Sequence, residues 1–534
     1  MFAKRLLACL LLMPLLALCT YVPAGRAAGD APEDGRTLSL REALLQGIRH
    51  NLDLNMAEVE VPQARLGETV QESRFDPVLE AKAGTSSQKL PSASAFSVDN
   101  LERLDASLAS VGVKKTFETG LESTLALKTM GVDSNSALIT GMNPYYRNYV
   151  ELDLTQPVLR NAGTAVNTAG VNMARNQSGQ SEYALLEQTQ QLAEKIELAY
   201  YDLAQGREVL AQRRRALALA QELWKANQQR FQAGLVPVTE VQQAESAMAS
   251  REEKVVAAEQ QVEVVSNRLK DLLELTPSRG GWPGPLVSDP LPEQQAPTPS
   301  AQEAVARAFQ IRPDLLRQRL ALEYLDVRVA YLENQRLPRL DLEASLALNG
   351  FSGTNRGGDT PGTVTDSPYD GPYGGAWRDA LGGEGYEGYV GVRLSYPLGN
   401  RAADSRWQQA RLQKQRALYQ LKRLEGSAET EINNAMVDIE RSRERLGVAR
   451  RLEGLAQTTL DQEMQRLAGG LSDTFHILSF QEKVVEAHVS AATALADLAR
   501  AQARFWRAAG DNLTRFAIVP RLPQPAAAPA QPAS

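Results

Sequence analysis

Apolar residues recur at every seventh position over two long stretches of this chain. From about Asn161 to Leu275 they are Ile196, Leu203, Leu210, Leu217, Trp224 and Phe231, then, after Ala233-Gly234-Leu235-Val236-Pro237, Val241, Met248, Val255, Val262 and Leu269. A seven-residue period keeps one narrow seam against a partner helix, so the pattern predicts a very long helix, a tight turn and a shorter returning helix. The pattern returns at an offset of 236, with Gly470-Leu471 on Gly234-Leu235. Its outgoing seam is Ile432, Ile439, Leu446, Glu453, Leu460 and Leu467, and its returning seam is Ile477, Val484, Ala491, Leu498 and Phe505. Only Glu453 breaks the stripe. Taken alone, such a seam fits any antiparallel coiled-coil hairpin.

The duplication extends beyond the hairpins. Ala43-Leu44 through Asp53-Leu54 aligns without a gap on Ala304-Val305 through Asp314-Leu315, and the same offset sets Pro77 on Pro338 and Leu79 on Leu340. Thr37 to Arg74 reads as one imperfect helix, interrupted by Gly47 and Pro62, with Ser39 and Glu42 forming a capping box and Phe75-Asp76-Pro77 as the stop. Val78 to Leu154 then changes to alternation: Val150, Leu152 and Leu154 against Glu151, Asp153 and Thr155, the pattern of a strand with one apolar and one polar face. That segment holds enough chain for two long strands, with room for an additional short hairpin. Residues 105–130 either add strands to the same sheet or fold beside it. The second copy alternates at Leu340, Leu342, Ala344, Leu346 and Leu348 and again at Val390, Val392 and Leu394, and Tyr149 to Pro157 recurs as Tyr389 to Pro397. Gly350 to Gly388 reads as a long solvent-facing loop. An outgoing arm of roughly 70 residues spans about 100 Å, and the two shorter helices of each half, stacked end to end, match it. The expected division is a leader at 1–27, a first repeat at 28–277, a Pro- and Gly-rich connector at 278–300, a second repeat at 301–513, and a Pro/Ala-rich disordered tail at 514–534.

Composition narrows the setting. Lys and Arg number 58 against 64 Asp and Glu, a net charge of -6 that gives no hint of a nucleic-acid partner. Lys4 and Arg5, the apolar run Leu6 to Leu18 and the small residues around Ala24 to Ala28 form a secretory leader with cleavage expected after Ala27. A lipid-anchored alternative would cut before Cys19, but Leu18 stands where such signals carry a small residue. Cys9 and Cys19 are the only cysteines, so the exported chain is expected to hold no disulfide and no thiolate metal site. No further run approaches 18 apolar residues; if the chain enters a membrane, it does so with strands.

The duplicated helix-strand-helix plan, the tip Arg230-Phe231-Gln232-Ala233-Gly234-Leu235-Val236-Pro237-Val238-Thr239-Glu240-Val241-Gln242 and the strand end Leu154-Thr155-Gln156-Pro157-Val158-Leu159 resemble the TolC family of outer-membrane channels. The resemblance runs from Leu38 to Leu513. It implies a mainly α fold with β: duplicated coiled-coil hairpins forming an α-helical barrel, plus a membrane β-barrel built from strands of each protomer. It further implies a homotrimer with twelve strands in the outer membrane and twelve helices crossing the periplasm. Its expected role is the exit duct of a tripartite efflux pump, or of a type I protein secretion machine, docked to a periplasmic adaptor and an inner-membrane transporter. Gly234, Leu235, Gly470 and Leu471 match the family's adaptor-docking turns, although each glycine also suits a tight helix-helix turn by itself. Glu240 matches an acidic position of the periplasmic constriction. The second copy departs from the family there, carrying His476 and Ser479 at the acidic positions with Asp473 nearby. Three copies of His476 around an axis would give a constriction whose charge changes near pH 6 to 7; a solvated histidine on a polar helix face is the plainer alternative.

No enzyme constellation stands out. Gly383-Glu384-Gly385-Tyr386-Glu387-Gly388 fits a G-x-G-x-x-G string but leads into a strand instead of a helix. His50, His476 and His488 lack metal-ligand spacing, and no cofactor is expected. Arg213-Arg214-Arg215 reads as a solvated helix face. A periplasmic coiled-coil adaptor or scaffold is the competing class, and the duplicated alternating segments argue against it.

Overall fold

The computed structural model describes residues 37–91, 101–135, 142–275, 286–291, 299–355, 367–469 and 471–519. The leader with both cysteines, most of the connector, Gly470 and residues 520–534 lie outside them. In chain order the elements are β1 (Thr37–Leu38), α1 (Leu40–His50), α2 (Leu52–Glu72), β2 (Val78–Pro91), β3 (Leu101–Thr116), β4 (Glu122–Ser134), β5 (Met142–Pro157), α3 (Thr164–Asn167), α4 (Ala169–Gln232), α5 (Val238–Leu272) and β6 (Val287–Ser288). The second half follows as α6 (Ala301–Ile311), α7 (Pro313–Asn334), β7 (Arg339–Asn355), α8 (Tyr373–Gly382), β8 (Gly385–Ser395), α9 (Arg401–Ala468), α10 (Thr474–Ala508) and α11 (Asn512–Arg515).

Thr37 to Arg74 is two helices, not one. Ser39 and Glu42 do form the capping box that starts α1, but at Asn51 the backbone turns extended and the Asn51 side chain accepts from Leu54 N at 3.1 Å to start α2. The second copy repeats the device: Ser300 and Glu303 box the start of α6, and Arg312 is the extended residue before Pro313. An N-cap side chain satisfies amides that a continuous helix would have bonded internally. That is why a break hides inside an unbroken apolar pattern.

The helix α4 is the spine. At 64 residues it runs about 95 Å, and α1, α2, α5, α7, α10 and α11 all pack along it. Ile196, Leu203, Leu269 and Leu44 are fully buried where α1, α4 and α5 meet. The Tyr200 hydroxyl ties that core to both flanks, donating to Leu38 O and accepting from Asp289 N, each at 2.8 Å. In the second half Ile432, Ile439, Leu498 and Phe505 form the matching core between α9 and α10. Glu453, the break in the stripe, pairs with His488 on the returning helix at 2.8 Å. Residues 514–519, expected in the disordered tail, continue the fold: Ile518 is buried, and Arg515 reaches the buried Glu197 of α4 at 3.1 Å.

All six long strands form one antiparallel sheet in the order β2-β3-β4-β5-β7-β8. Residues 105–130 therefore belong to β3 and β4 and add strands to the same sheet, which decides between the two arrangements the sequence left open. The segment read as a loop from Gly350 to Gly388 also contains structure: β7 continues to Asn355, and α8 follows before β8. Among the described residues no helix is long and apolar enough to cross a membrane.

Candidate functional site: an amphipathic sheet at one end and two helical tips at the other

Through the rows nearest the helices the sheet keeps one largely apolar and one polar face, with Lys115 of β3 as the charged exception on the apolar side. One row of facing residues reads Leu79, Val113, Leu125, Leu152 and Leu346 from β2 to β7. The adjoining row reads Glu80, Gly112, Ala126, Glu151, Ala347 and Glu387 from β2 to β8. Charged side chains pair on the polar face: Lys114 with Glu122 at 3.5 Å, Lys128 with Glu151, and Arg393 with Glu343 at 2.8 Å. The apolar face stays open, with Leu79, Val113, Leu125, Leu346, Val390 and Val392 all exposed. An exposed apolar surface of this breadth marks a membrane or partner interface. At a strand tilt of about 40° the outward residues from Leu340 to Gly350 cover about 25 Å, the height of a membrane barrel's apolar band.

Beyond that band, α8 lies on the same face. Ala376 and Ala380 are buried, and Gly350 is why they can be: a Cβ there would sit 1.8 Å from Ala376 O. The Tyr146 and Tyr373 rings meet edge to face at 5.3 Å, and Trp377 Nε1 donates to the Tyr373 hydroxyl at 3.0 Å. Rings with one polar end suit the border of a hydrocarbon layer.

Both helical turns use the same backbone device. In the first, Gly234 takes φ +73°, its amide donates to Phe231 O at 2.9 Å, and Leu235 N donates to Arg230 O at 2.9 Å. This is a Schellman closure, and the left-handed residue within it favours glycine. In the second turn Leu471 N donates to Arg466 O at 2.9 Å; Gly470 is outside the described residues. The outcome is a pair of leucines, Leu235 74% and Leu471 73% exposed, with no core to serve.

Of the four expected constriction residues, the structure joins two to each other, Asp473 and His476. Glu240 is half-buried and accepts from Thr474 Oγ1 at 3.0 Å, so it bridges the two hairpins. The buried Asn227 amide stands 3.5 Å from both Glu240 O and Thr474 Oγ1. Asp473 caps α10, accepting from His476 N at 2.9 Å while His476 Nδ1 lies 2.8 Å from the same oxygen. The backbone and ring hydrogen bonds of His476 hold the Asp473 carboxyl below the usual carboxylate range. Ser479 is half-buried further along α10.

Sequence reasoning missed a charged cluster that links the hairpins. Glu482 of α10 lies 2.5 Å from Lys254, 3.3 Å from Arg213 and 3.9 Å from Arg251. Arg251 is buried, and its guanidinium also donates to Ala216 O and Gln481 Oε1, each at 3.1 Å. Burial pushes the Glu482 carboxyl up, but the Lys254 hydrogen bond and the three cations outweigh it and hold it below the usual glutamate range. Arg213, read as part of a solvated run, in fact turns inward. The signal was Arg251 itself, three residues past the seam position Met248, where the second copy has Ala487.

No protein-family model and no curated protein matches the sequence. Solved structures do match the fold. The outer-membrane channel OprN superimposes with a TM-score of 0.62 at 17% identity, over 88% of this chain and 89% of that one. The CmeC outer membrane channel of Campylobacter jejuni gives 0.59 at 18% identity, over 89% and 86%. The outer membrane protein VceC of Vibrio cholerae gives 0.60 at 16%, over 88% and 96%.

Proposed function

We propose that this protein, which has the fold of the TolC-like outer-membrane channels, is a homotrimeric channel of a Gram-negative outer membrane. It passively conducts small molecules outward as the exit duct of a tripartite efflux pump. The observation that carries the reading is one chain with a two-faced sheet at one end and paired leucine-bearing helical tips at the other. The apolar face meets lipid, the charged face lines a wet lumen, and the helices carry that lumen across the periplasm. The chain does no chemistry and holds no cofactor; the solved structures it resembles are channels, not enzymes.

Leu235 and Leu471, with Gly234 and Gly470, form the docking points for a periplasmic adaptor, which couples the duct to an inner-membrane transporter. Glu240, Asp473, His476 and Ser479 line the periplasmic narrowing, three copies of each around the axis. The Glu240–Thr474 contact supports a tip whose width is set by bonds between hairpins. The test is single-channel recording of the detergent-extracted oligomer in a planar bilayer. Discrete ohmic steps are expected; a purified oligomer that inserts without conducting would overturn the reading.

A further inference from the structure

The six-stranded sheet does not fit the four strands per protomer that a twelve-stranded trimeric barrel would use. The extra pair, β3 and β4, sits inside the sheet and separates β2 from β5. Its ladders are continuous, from Val78↔Lys114 to Pro91↔Leu101 on one side and from Glu122↔Thr155 to Val132↔Tyr145 on the other. Direct pairing of β2 with β5 would break both.

Nor is the pair a passenger. Its outward residues Val111, Val113, Leu125 and Leu127 lie in the same apolar rows as the strands beside them, and Lys114 and Lys128 lie on the charged face. Among the described residues no α-helix leads into or out of this hairpin. Instead its turn, Phe117 to Leu121, is fastened to the end of β5 and the segment that follows it: Gly163 N donates to Thr119 O at 3.2 Å and Gln156 Nε2 donates to the same oxygen at 3.4 Å.

Among the described residues two edges remain unpaired, β2 and β8, and unpaired backbone at membrane depth is strongly disfavoured. The strands alternate in direction across the sheet, so β8 of one copy runs antiparallel to β2 of the next. Matching polar face to polar face restricts the join to alternate registers, because a shift of one residue would turn every side chain over. Among these, the register that aligns the helix-side ends of the strands, Val78 opposite Ser395, also places Glu80 opposite Arg393, Leu79 opposite Leu394 and Ala81 opposite Val392. Sliding by two residues one way would put Lys82 against Arg393, and like charges facing each other destabilise a pair.

We infer that the outer-membrane barrel is built of eighteen strands, six from each of three copies, joined β8 to β2 in the register that sets Glu80 opposite Arg393. The inference rests on the trimeric channel reading. In this register the sheet shifts by six residues per copy, a stagger equal over the whole barrel to its number of strands and of the size that strand tilts of about 35–45° require. Barrel diameter grows roughly linearly with strand number, so the lumen is about half as wide again as that of a twelve-stranded barrel. The wide lumen leaves the helical tips, not the barrel, as the part that selects what passes.

The first test is electron cryomicroscopy of the full-length protein in lipid nanodiscs, with strands counted in sections across the barrel. Eighteen strands in a trimer are expected. A trimeric barrel of twelve, with residues 101–134 outside the wall, would overturn this inference and leave the channel reading standing; a protein with no barrel would overturn both. The second test fixes the register by cross-linking in isolated membranes. Facing Cβ atoms lie about 4.5–5.5 Å apart, near disulfide reach, whereas a position eight residues along a strand is about 25 Å away. Glu80→Cys with Arg393→Cys is expected to give linked dimers and trimers on oxidation, and Gln88→Cys with Arg393→Cys none. Linking of the second pair but not the first, in intact trimers, would overturn the register.

Discussion

Removing Glu482 should loosen the first hairpin from the second without unfolding either. The Arg251 guanidinium side chain is 5% exposed, and Glu482 is its anionic neighbour. Breaking a fully buried pair by deleting one partner costs about 3–5 kcal/mol. Here the Glu482 side chain is 27% exposed, and Arg251 keeps its bonds to Ala216 O and Gln481, so a loss of about 2 kcal/mol is the better figure. That corresponds to roughly thirtyfold faster amide exchange by local opening. The assay is hydrogen-exchange mass spectrometry of Glu482→Ala in detergent, following α5 from Met248 to Glu259. Protonation should act in the same sense. The folded-state pKa of Glu482 is lowered, so its contribution is complete above the ordinary glutamate range and is lost as pH falls through that lowered value. Replacing both charges, Arg251→Met with Glu482→Met, should restore most of the protection, since the cost lies in the orphaned cation. Unchanged exchange in Glu482→Ala, with the oligomer intact, would refute the reasoning.

Three further outcomes are expected. Burial raises the Glu197 carboxyl more than Arg515 and the Tyr201 hydroxyl lower it. Its contribution is therefore complete at pH below the ordinary glutamate range and lost as pH rises through the raised value; Arg515→Leu should cost about 3 kcal/mol at pH 8 and less at pH 5, read as thermal melting at both. Gly350→Ala should displace α8 at a cost of about 1–3 kcal/mol, seen as faster tryptic cleavage after Arg378 in the purified protein. Leu235→Asp with Leu471→Asp should abolish cross-linking to the adaptor while shifting stability by no more than about 0.5 kcal/mol; full cross-linking would remove the tips from the docking role.

The legible parts of this chain were those with a period. Ile432, Ile439, Leu498 and Phe505 repeat every seven residues and are buried, and Leu152 and Leu346 alternate and face each other. Features that are not periodic stayed hidden. A helix broken at one capped residue, Asn51, keeps its apolar spacing on both sides. The strands β3 and β4 carry Gly112, Lys114, Lys115 and Lys128 among few large apolar residues, so their alternation is weak. At the tips, the glycine-leucine turns could be read from local chemistry. Glu240 and Thr474, 234 residues apart, could be paired only once the hairpins were set side by side.

The central claim is that three copies of this chain form a channel in the outer membrane. It is tested most directly by separating inner and outer membranes on a density gradient and measuring the mass of the extracted protein in detergent. The account requires a trimer in the outer-membrane fraction. A soluble periplasmic monomer would contradict it, and would leave the exposed apolar face of the sheet without a function.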